Sequence, residues 1–212
     1  FLRTLEHFIS RPDVCQTILA VAPEDIATMK STYGPNLGFM GVKLVEGGAR
    51  RCDTVAAALT AVSDQAEFIA VHDVARPCVS AAMIDAVFAE AVKTGAAILA
   101  APIVGTVKRV AASMVIEETP SRAGLYEAQT PQVFRKDLLL NAYRTLPERG
   151  GQEITDDAQL VELSGHPVSV VVSDTTNLKI TTKGDLTLAH AILKARPVKA
   201  VPRMGAFEEA QW

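Results

Sequence analysis

"FIAVHDVARPCVSAAMIDAVFAEAVKTGAAILAAPI", residues 68–103, decides the fold class, because its hydrophobic period changes twice. The run "FIAVHDV" (68–74) reads as a strand that ends in charges. Behind Ser80, "AAMIDAVFAEAVKTG" places apolar residues at helical spacing, with the serine as a cap and Gly95 as a stop. "AAILAAPI" (96–103) then returns to an unbroken apolar run of strand length. Strand, helix and strand in this order build a mostly parallel sheet covered by helices.

The same alternation extends in both directions. "CQTILAVAP" (15–23), "VKLVE" (42–46) and "PVSVVVS" (167–173) are further strand candidates. Between them, "EDIATMKSTYG" is expected to be a helix ending at Gly34, and "DTVAAALTAVSD" a helix starting behind Asp53. Later helices are expected in "RKDLLLNAYRTL", "DDAQLVELSG" and "TTKGDLTLAHAILKA", the last opened by a capping box of Thr182 and Asp185. Residues 104–134 break the rhythm and read as two or three short strands and turns, a projecting β-arm. The expected fold is α/β, Rossmann-like, with helices on both faces of the sheet. One domain spans 1–195 with the arm inserted, and 196–212, with two prolines and no period, is a loosely held tail.

The 212 residues suffice for a real core, and 49% of them are hydrophobic. A net charge of −3 gives no electrostatic reason to expect a nucleic-acid or membrane surface, so small-molecule chemistry is the starting point. Three widely spaced cysteines, Cys15, Cys52 and Cys78, suggest neither a disulfide framework nor a zinc cluster, and a reducing cytoplasm fits them. No apolar run approaches the ~20 residues that span a bilayer. His7, His166 and His190 lack metal-ligand spacing, and no protein metal site is expected.

Ligands of a parallel sheet bind beyond the carboxyl ends of its strands. Four such places are polar. In "EGGARRCDT" (46–54), Gly47 and Gly48 either admit a ligand close to the backbone or make a plain turn before a helix. In "HDVARP" (72–77), Asp73 and Arg76 either form a capped turn with a surface ion pair or face a polar, phosphorylated ligand, while His72 reads as a packed, hydrogen-bonded residue. "GTVKR" (105–109) opens the arm. In "DTTNLKITT" (174–182), Lys179 sits between Leu178 and Ile180 in what reads as a short strand, either guarding an edge or meeting an anion. "QTPQVF" (129–134) could bind a polyol, but stitching a loop together is the favoured reading.

In order along the chain, "GGARRCDTV", "VHDVARP", "AQTPQVF", "ITDD" and "NLKITT" resemble the motifs of the 2-C-methyl-D-erythritol 4-phosphate cytidylyltransferase family over roughly residues 1–195. The resemblance implies transfer of a cytidylyl group. The phosphate of methylerythritol phosphate attacks the α-phosphorus of CTP, with Mg²⁺ present, and pyrophosphate leaves. It implies that Gly47, Gly48, Ala49, Thr54 and Val74 face cytosine and ribose, and that Asp73 holds a sugar or polyol hydroxyl. Arg76, Thr106, Arg122, Thr130, Thr155 and Lys179 then surround the methylerythritol phosphate, with Lys179 near the α-phosphate. Asp73, Arg76 and Lys179 are the catalytic candidates. The family's arm reaches across a homodimer, which assigns Thr106 and Arg122 to the neighbouring subunit's site.

Two departures stand beside these matches. The family's Ala-Ala-Gly-x-Gly-x-Arg loop and the lysine after it have no counterpart here, since the sequence starts at Phe1 inside what reads as a helix. The strand before that loop would lie near the middle of the sheet, so two strand edges are expected to be exposed. Gly105 stands where the family has Asp. Two alternatives are therefore carried: a ribitol-5-phosphate cytidylyltransferase, whose motif reads Ala-Val where this chain has Val74-Ala75, and a non-catalytic nucleotide-binding module.

Overall fold

The computed structural model describes residues 1–145 and 154–196; the tail expected to be loosely held lies, apart from Arg196, outside the described residues. Its centre is β4 (Ala96–Pro102), buried at every position but the last, as an apolar run covered on both faces must be. β8 (Ser169–Val172) pairs parallel to one edge of β4. β7 (Tyr126–Arg135) pairs antiparallel to the other edge, and β3 (Phe68–Val71) antiparallel to β7, giving the order β3-β7-β4-β8. β3, β4 and β8 thus share one direction.

The crossover from β3 to β4 is α4 (Ala81–Thr94), capped as its sequence requires. The Ser80 hydroxyl accepts from the Met83 amide at 3.2 Å, and Gly95 ends the helix at φ 86°, a left-handed conformation that costs glycine nothing. Successive residues of β4 feed opposite cores. Ala96 and Ile98 pack with Phe134 and with α3 (Arg51–Leu59), α5 (Lys136–Arg144) and α6 (Asp157–Leu163). Ala97 and Leu99 pack with Val133 and with Ile84, Val87 and Ala91 of α4. Helices therefore cover both faces.

A second sheet pairs β1 (Thr17–Val21) with β2 (Val42–Glu46) in parallel. It is backed by α1 (Leu2–Ile9) and α2 (Ile26–Phe39) through Leu5, Leu19, Leu37 and Val42. The last element, α7 (Lys183–Ala195), opens with the expected Thr182 and Asp185 capping box. β1 and β3 each keep an unpaired edge, and residues of both line one cavity of about 1000 Å³. Phe8, Leu19, Ile69 and Val71 make its apolar wall, and Arg51, Thr54, His72 and Asp73 are polar residues on it.

Four expectations need correction. α2 does not stop at Gly34 but runs through Pro35, because the next turn buries Leu37 almost completely in the third core. α3 begins at Arg51, ahead of Asp53, whose carboxylate caps the helix from its third position by accepting from the Arg50 amide. The arm is shorter than 104–134: residues 129–134 are six consecutive buried positions of β7 in the main sheet. Pro131, which has no amide hydrogen for a central ladder, sits in a bulge where β7 carries Gln129, Thr130 and Pro131 against Leu99 alone. Finally, "NLKITT" is not a strand; it follows β8 as loop, with the Ile180 amide donating to the Ala75 carbonyl at 2.8 Å.

Candidate active site

The turn after β3 is fixed from several directions. The Arg76 amide donates to the Asp73 carbonyl at 2.9 Å, and the Thr4 hydroxyl donates to the Val74 carbonyl at 2.8 Å. His72 bonds through Nε2 to the Arg76 carbonyl at 3.2 Å and through Nδ1 to the Thr130 hydroxyl at 3.1 Å. A carbonyl only accepts, so Nε2 carries the proton, Nδ1 accepts from Thr130, and the ring is neutral. Burial pushes its pKa down to about 4. The Thr130 oxygen in turn accepts from the Asp73 amide at 3.0 Å. His72 is thus the packed, hydrogen-bonded residue expected from the sequence, and with Thr130 it sets the backbone of Asp73.

The Asp73 side chain meets Lys179, with Oδ2 2.8 Å from Nζ. Its Oδ1 lies 3.5 Å from Arg51 Nε, a loose contact that leaves this oxygen able to accept from a ligand hydroxyl. Burial would raise the Asp73 pKa, but the Lys179 ammonium and the Arg51 and Arg76 guanidiniums outweigh it, so the carboxyl stays below its usual range. The Lys179 side chain is 42% exposed and its ammonium has three donors, one of them directed at Asp73. An anion approaching from solvent meets the others.

Lys179 owes its place to the buried residues beside it. Asn177 is fully buried and donates through Nδ2 to Gln129 Oε1 at 2.9 Å and to the Thr130 carbonyl at 3.0 Å. Its own carbonyl accepts from Arg76 Nη1 at 2.6 Å. Gln129 also takes the Ser173 hydroxyl at 2.8 Å and donates to the Asp174 carbonyl at 3.1 Å. The bulge in β7 aims Thr130 under one site loop and Gln129 under the other.

Arg76, expected at the ligand phosphate, is instead 5% exposed and ties the Asn177 loop to the β3 turn. The exposed Glu127 carboxylate lies 4.0 Å from its Nη2, and its Nε is buried with no partner among the described residues. Thr130 is likewise buried, its hydroxyl engaged by His72 and Asp73. Gly47 and Gly48 make a tight turn: a Cβ on Gly48 would come within 2.5 Å of the Asp53 Cβ, and one on Gly47 within 2.9 Å of the Thr54 side chain. The Thr54 hydroxyl closes that turn at 3.1 Å from the Gly48 amide, while Ala49 and Val74 stay exposed. Thr155 is exposed and shares Gln159 Oε1 between its amide and hydroxyl.

Thr106 and Arg122 stand apart. Both are exposed on the arm, where Arg122 donates to the Val104 carbonyl, and no hydrogen bond or ion pair among the described residues joins either to Asp73 or Lys179. Arg51 is not among the residues expected at the site, although it is the second arginine of "GGARRCDTV". It touches Asp73 and places Nη2 2.8 Å from Oδ2 of the fully buried Asp157, the second aspartate of "ITDD". No group of three or more His, Cys, Asp or Glu able to hold a metal occurs among the described residues, and Asp73 already has two cations. The described residues therefore do not form a metal site of their own.

The profile of the family described as "IspD: 2-C-methyl-D-erythritol 4-phosphate cytidylyltransferase" matches residues 1–195. A 2-C-methyl-D-erythritol 4-phosphate cytidylyltransferase of Rhodopirellula baltica is 42% identical over 200 residues, covering 89% of this chain and 80% of that protein. Among solved structures, the enzyme of the same name from Thermus thermophilus superposes with a TM-score of 0.77 at 34% identity, covering 91% of this chain and 88% of that one. The 4-diphosphocytidyl-2C-methyl-D-erythritol synthase of Anaerococcus prevotii gives a TM-score of 0.78 at 29% identity, with coverages of 91% and 84%. Because the family profile spans residues 1–195 and these relatives match the chain over most of its length, the chain belongs to the 2-C-methyl-D-erythritol 4-phosphate cytidylyltransferase family.

Proposed function

We propose that the chain transfers the cytidylyl group of CTP to 2-C-methyl-D-erythritol 4-phosphate, releasing pyrophosphate, and that Asp73 and Lys179 stand at the reacting phosphate. The observation that carries the site assignment is the Lys179 ammonium, held 2.8 Å from Asp73 and otherwise open to solvent. Phosphoryl transfer of this kind depends on position and fixed positive charge more than on covalent help from the protein. Lys179 supplies such a charge to the α-phosphate as the acceptor phosphate attacks. Asp73 keeps Lys179 in place and offers Oδ1 to a hydroxyl of the polyol or ribose. Ala49, exposed in the turn before α3, and Val74, exposed next to Asp73 in the chain, offer backbone atoms to the nucleoside. Arg76 and Thr130 act from beneath, as struts.

Mg²⁺ enters with the triphosphate in this reading, since that ion is commonly held by substrate phosphates and water with one or two carboxylates. We further infer a homodimer through the arm, with Thr106 and Arg122 serving the partner's site. Exposed Val110, Met114, Val115, Ile116 and Tyr126 on the arm support it, as apolar surface of this density suits an interface. Free thiols at Cys15, Cys52 and Cys78 suit a cytoplasmic enzyme, and among the described residues no helix is long and apolar enough to cross a membrane.

The family match favours methylerythritol phosphate over the ribitol alternative and catalysis over a silent binding module. Pyrophosphate release from CTP, measured with each acceptor, tests both choices. Faster turnover with ribitol 5-phosphate would overturn the acceptor, and no release with either would overturn the reaction.

A further inference from the structure

We propose that Arg51 is a positioning residue of the site, acting through a charge relay that runs from buried Tyr143 and Asp157 through Arg51 and Asp73 to exposed Lys179. Its inner end is closed to water. The Tyr143 hydroxyl donates to Asp157 Oδ1 at 2.5 Å, and Asp157 is fully buried at the first turn of α6, where the helix amino end favours a negative charge. The Asp157 and Ala158 amides both donate to Gln132 Oε1 at 3.1 Å, which pins that helix end to β7. Asp157 Oδ2 has one cation near it, Arg51 Nη2 at 2.8 Å, in a contact that is ionic without hydrogen-bond alignment.

Arg51 is therefore held from behind by a buried carboxylate that cannot move, and a planar guanidinium held at one edge has little freedom at the other. Its Nε faces Asp73 Oδ1 at 3.5 Å, which turns Oδ2 toward Lys179 at 2.8 Å. Neither Arg51 nor Asp157 is placed against substrate. Their effect reaches the reaction through the orientation and charge of Asp73. Loss of Arg51 would leave Asp157 buried without its cation and free the Asp73 carboxylate to rotate away from Lys179.

The charged and titratable groups around Asp73 are Arg51 from α3, Lys179 from the loop after β8, and His72 and Arg76 from its own turn, with Asp157 and Tyr143 behind Arg51. Removing one of its cations raises the carboxyl's titration point, and the neighbouring Arg50, which pairs with Asp53 at the surface, provides a control.

The proposal's turnover arm rests on the reaction proposed above; its titration arm does not. Carboxyl-carbon NMR titration of Asp73 in the purified protein should show the midpoint rising by about one pH unit in Arg51→Met, the scale of one lost nearby charge, and staying in place in Arg50→Met. An unmoved midpoint in Arg51→Met overturns the relay. Where Arg51→Met does not fold, isosteric Asp157→Asn decides, with an expected fall in kcat of about tenfold and an unchanged KM for CTP. Wild-type kcat in Asp157→Asn overturns the relay, whereas a wild-type protein with no pyrophosphate release, yet a shifted Asp73 midpoint in Arg51→Met, overturns the assigned reaction and leaves the relay standing.

Discussion

Two loops leave the carboxyl ends of parallel strands and end up physically unlike. The turn after β3 has nearly every polar group matched to a partner far along the chain: Thr4, Thr130 and Ile180 all bond to it. The arm after β4 is a small antiparallel pair, β5 (Arg109–Val110) with β6 (Ile116–Glu118), exposed along both strands and bonded mainly to itself. The Asp73 turn is organised before any ligand arrives. The arm has its residues at the surface, with few bonds to the rest of the fold. A group that stabilises developing charge belongs on the first kind of scaffold, because reorganisation at the moment of reaction is then small.

The sharpest way to break this contrast is Lys179→Ala. Turnover should fall about 10²–10³-fold with the fold intact, the scale of one lost electrostatic donor. Near-normal rates would remove Lys179 from the chemistry. Next comes the buried support of the Asp73 turn, read by pH. The pKa of His72 falls from 6.5 to about 4 on folding, so between those values the unfolded chain binds the extra proton. Stability is fully present above 6.5 and drains away as pH drops toward 4, by on the order of 3 kcal/mol. Denaturant midpoints at several pH values check this, and His72→Gln should flatten the slope; an equal slope in the variant refutes it.

The arm should answer differently. For the homodimer proposed above, Val115→Asp with Ile116→Asp should leave thermal stability nearly unchanged, shift sedimentation from dimer to monomer, and lower turnover by about tenfold through loss of the contact proposed for Arg122. Activity retained in a monomer would show that the arm's residues are not needed across an interface. The smallest effect is expected for Arg109→Ala. Its ion pair with Glu118 spans 2.6 Å but both side chains are at least half exposed, so the cost should stay below about 1 kcal/mol by denaturant titration.

What the sequence discloses follows the same division. Alternating period and caps place β2 at its observed bounds and start α4 behind Ser80, because local chemistry decides those elements. The motifs bring out Asp73 and Lys179, which the fold sets 2.8 Å apart. The pattern does not disclose that Arg76 and Thr130 are buried, since an arginine that reaches a carbonyl inside the fold has the same letter as one that grips a phosphate. Arg51 stayed hidden for a similar reason: its partner Asp157 lies on another helix, and only the folded chain makes them neighbours. β7 misled because a proline and two glutamines mark a surface loop in most settings, while here Gln129 and Gln132 have their polar atoms met inside the sheet.

The bulge in β7 bears on which lengths of chain this fold can tolerate. Deleting one residue from 129–131 would shift the register of everything after it, and side chains alternate sides along a strand. Val133 would be driven toward the core now filled by Phe134, and Phe134 toward the core of Val133. The arm's tip, exposed and sharing no core, can gain or lose residues at little cost to the fold. Variation in chain length should therefore collect between β4 and the start of β7 and be excluded from the ten residues that follow.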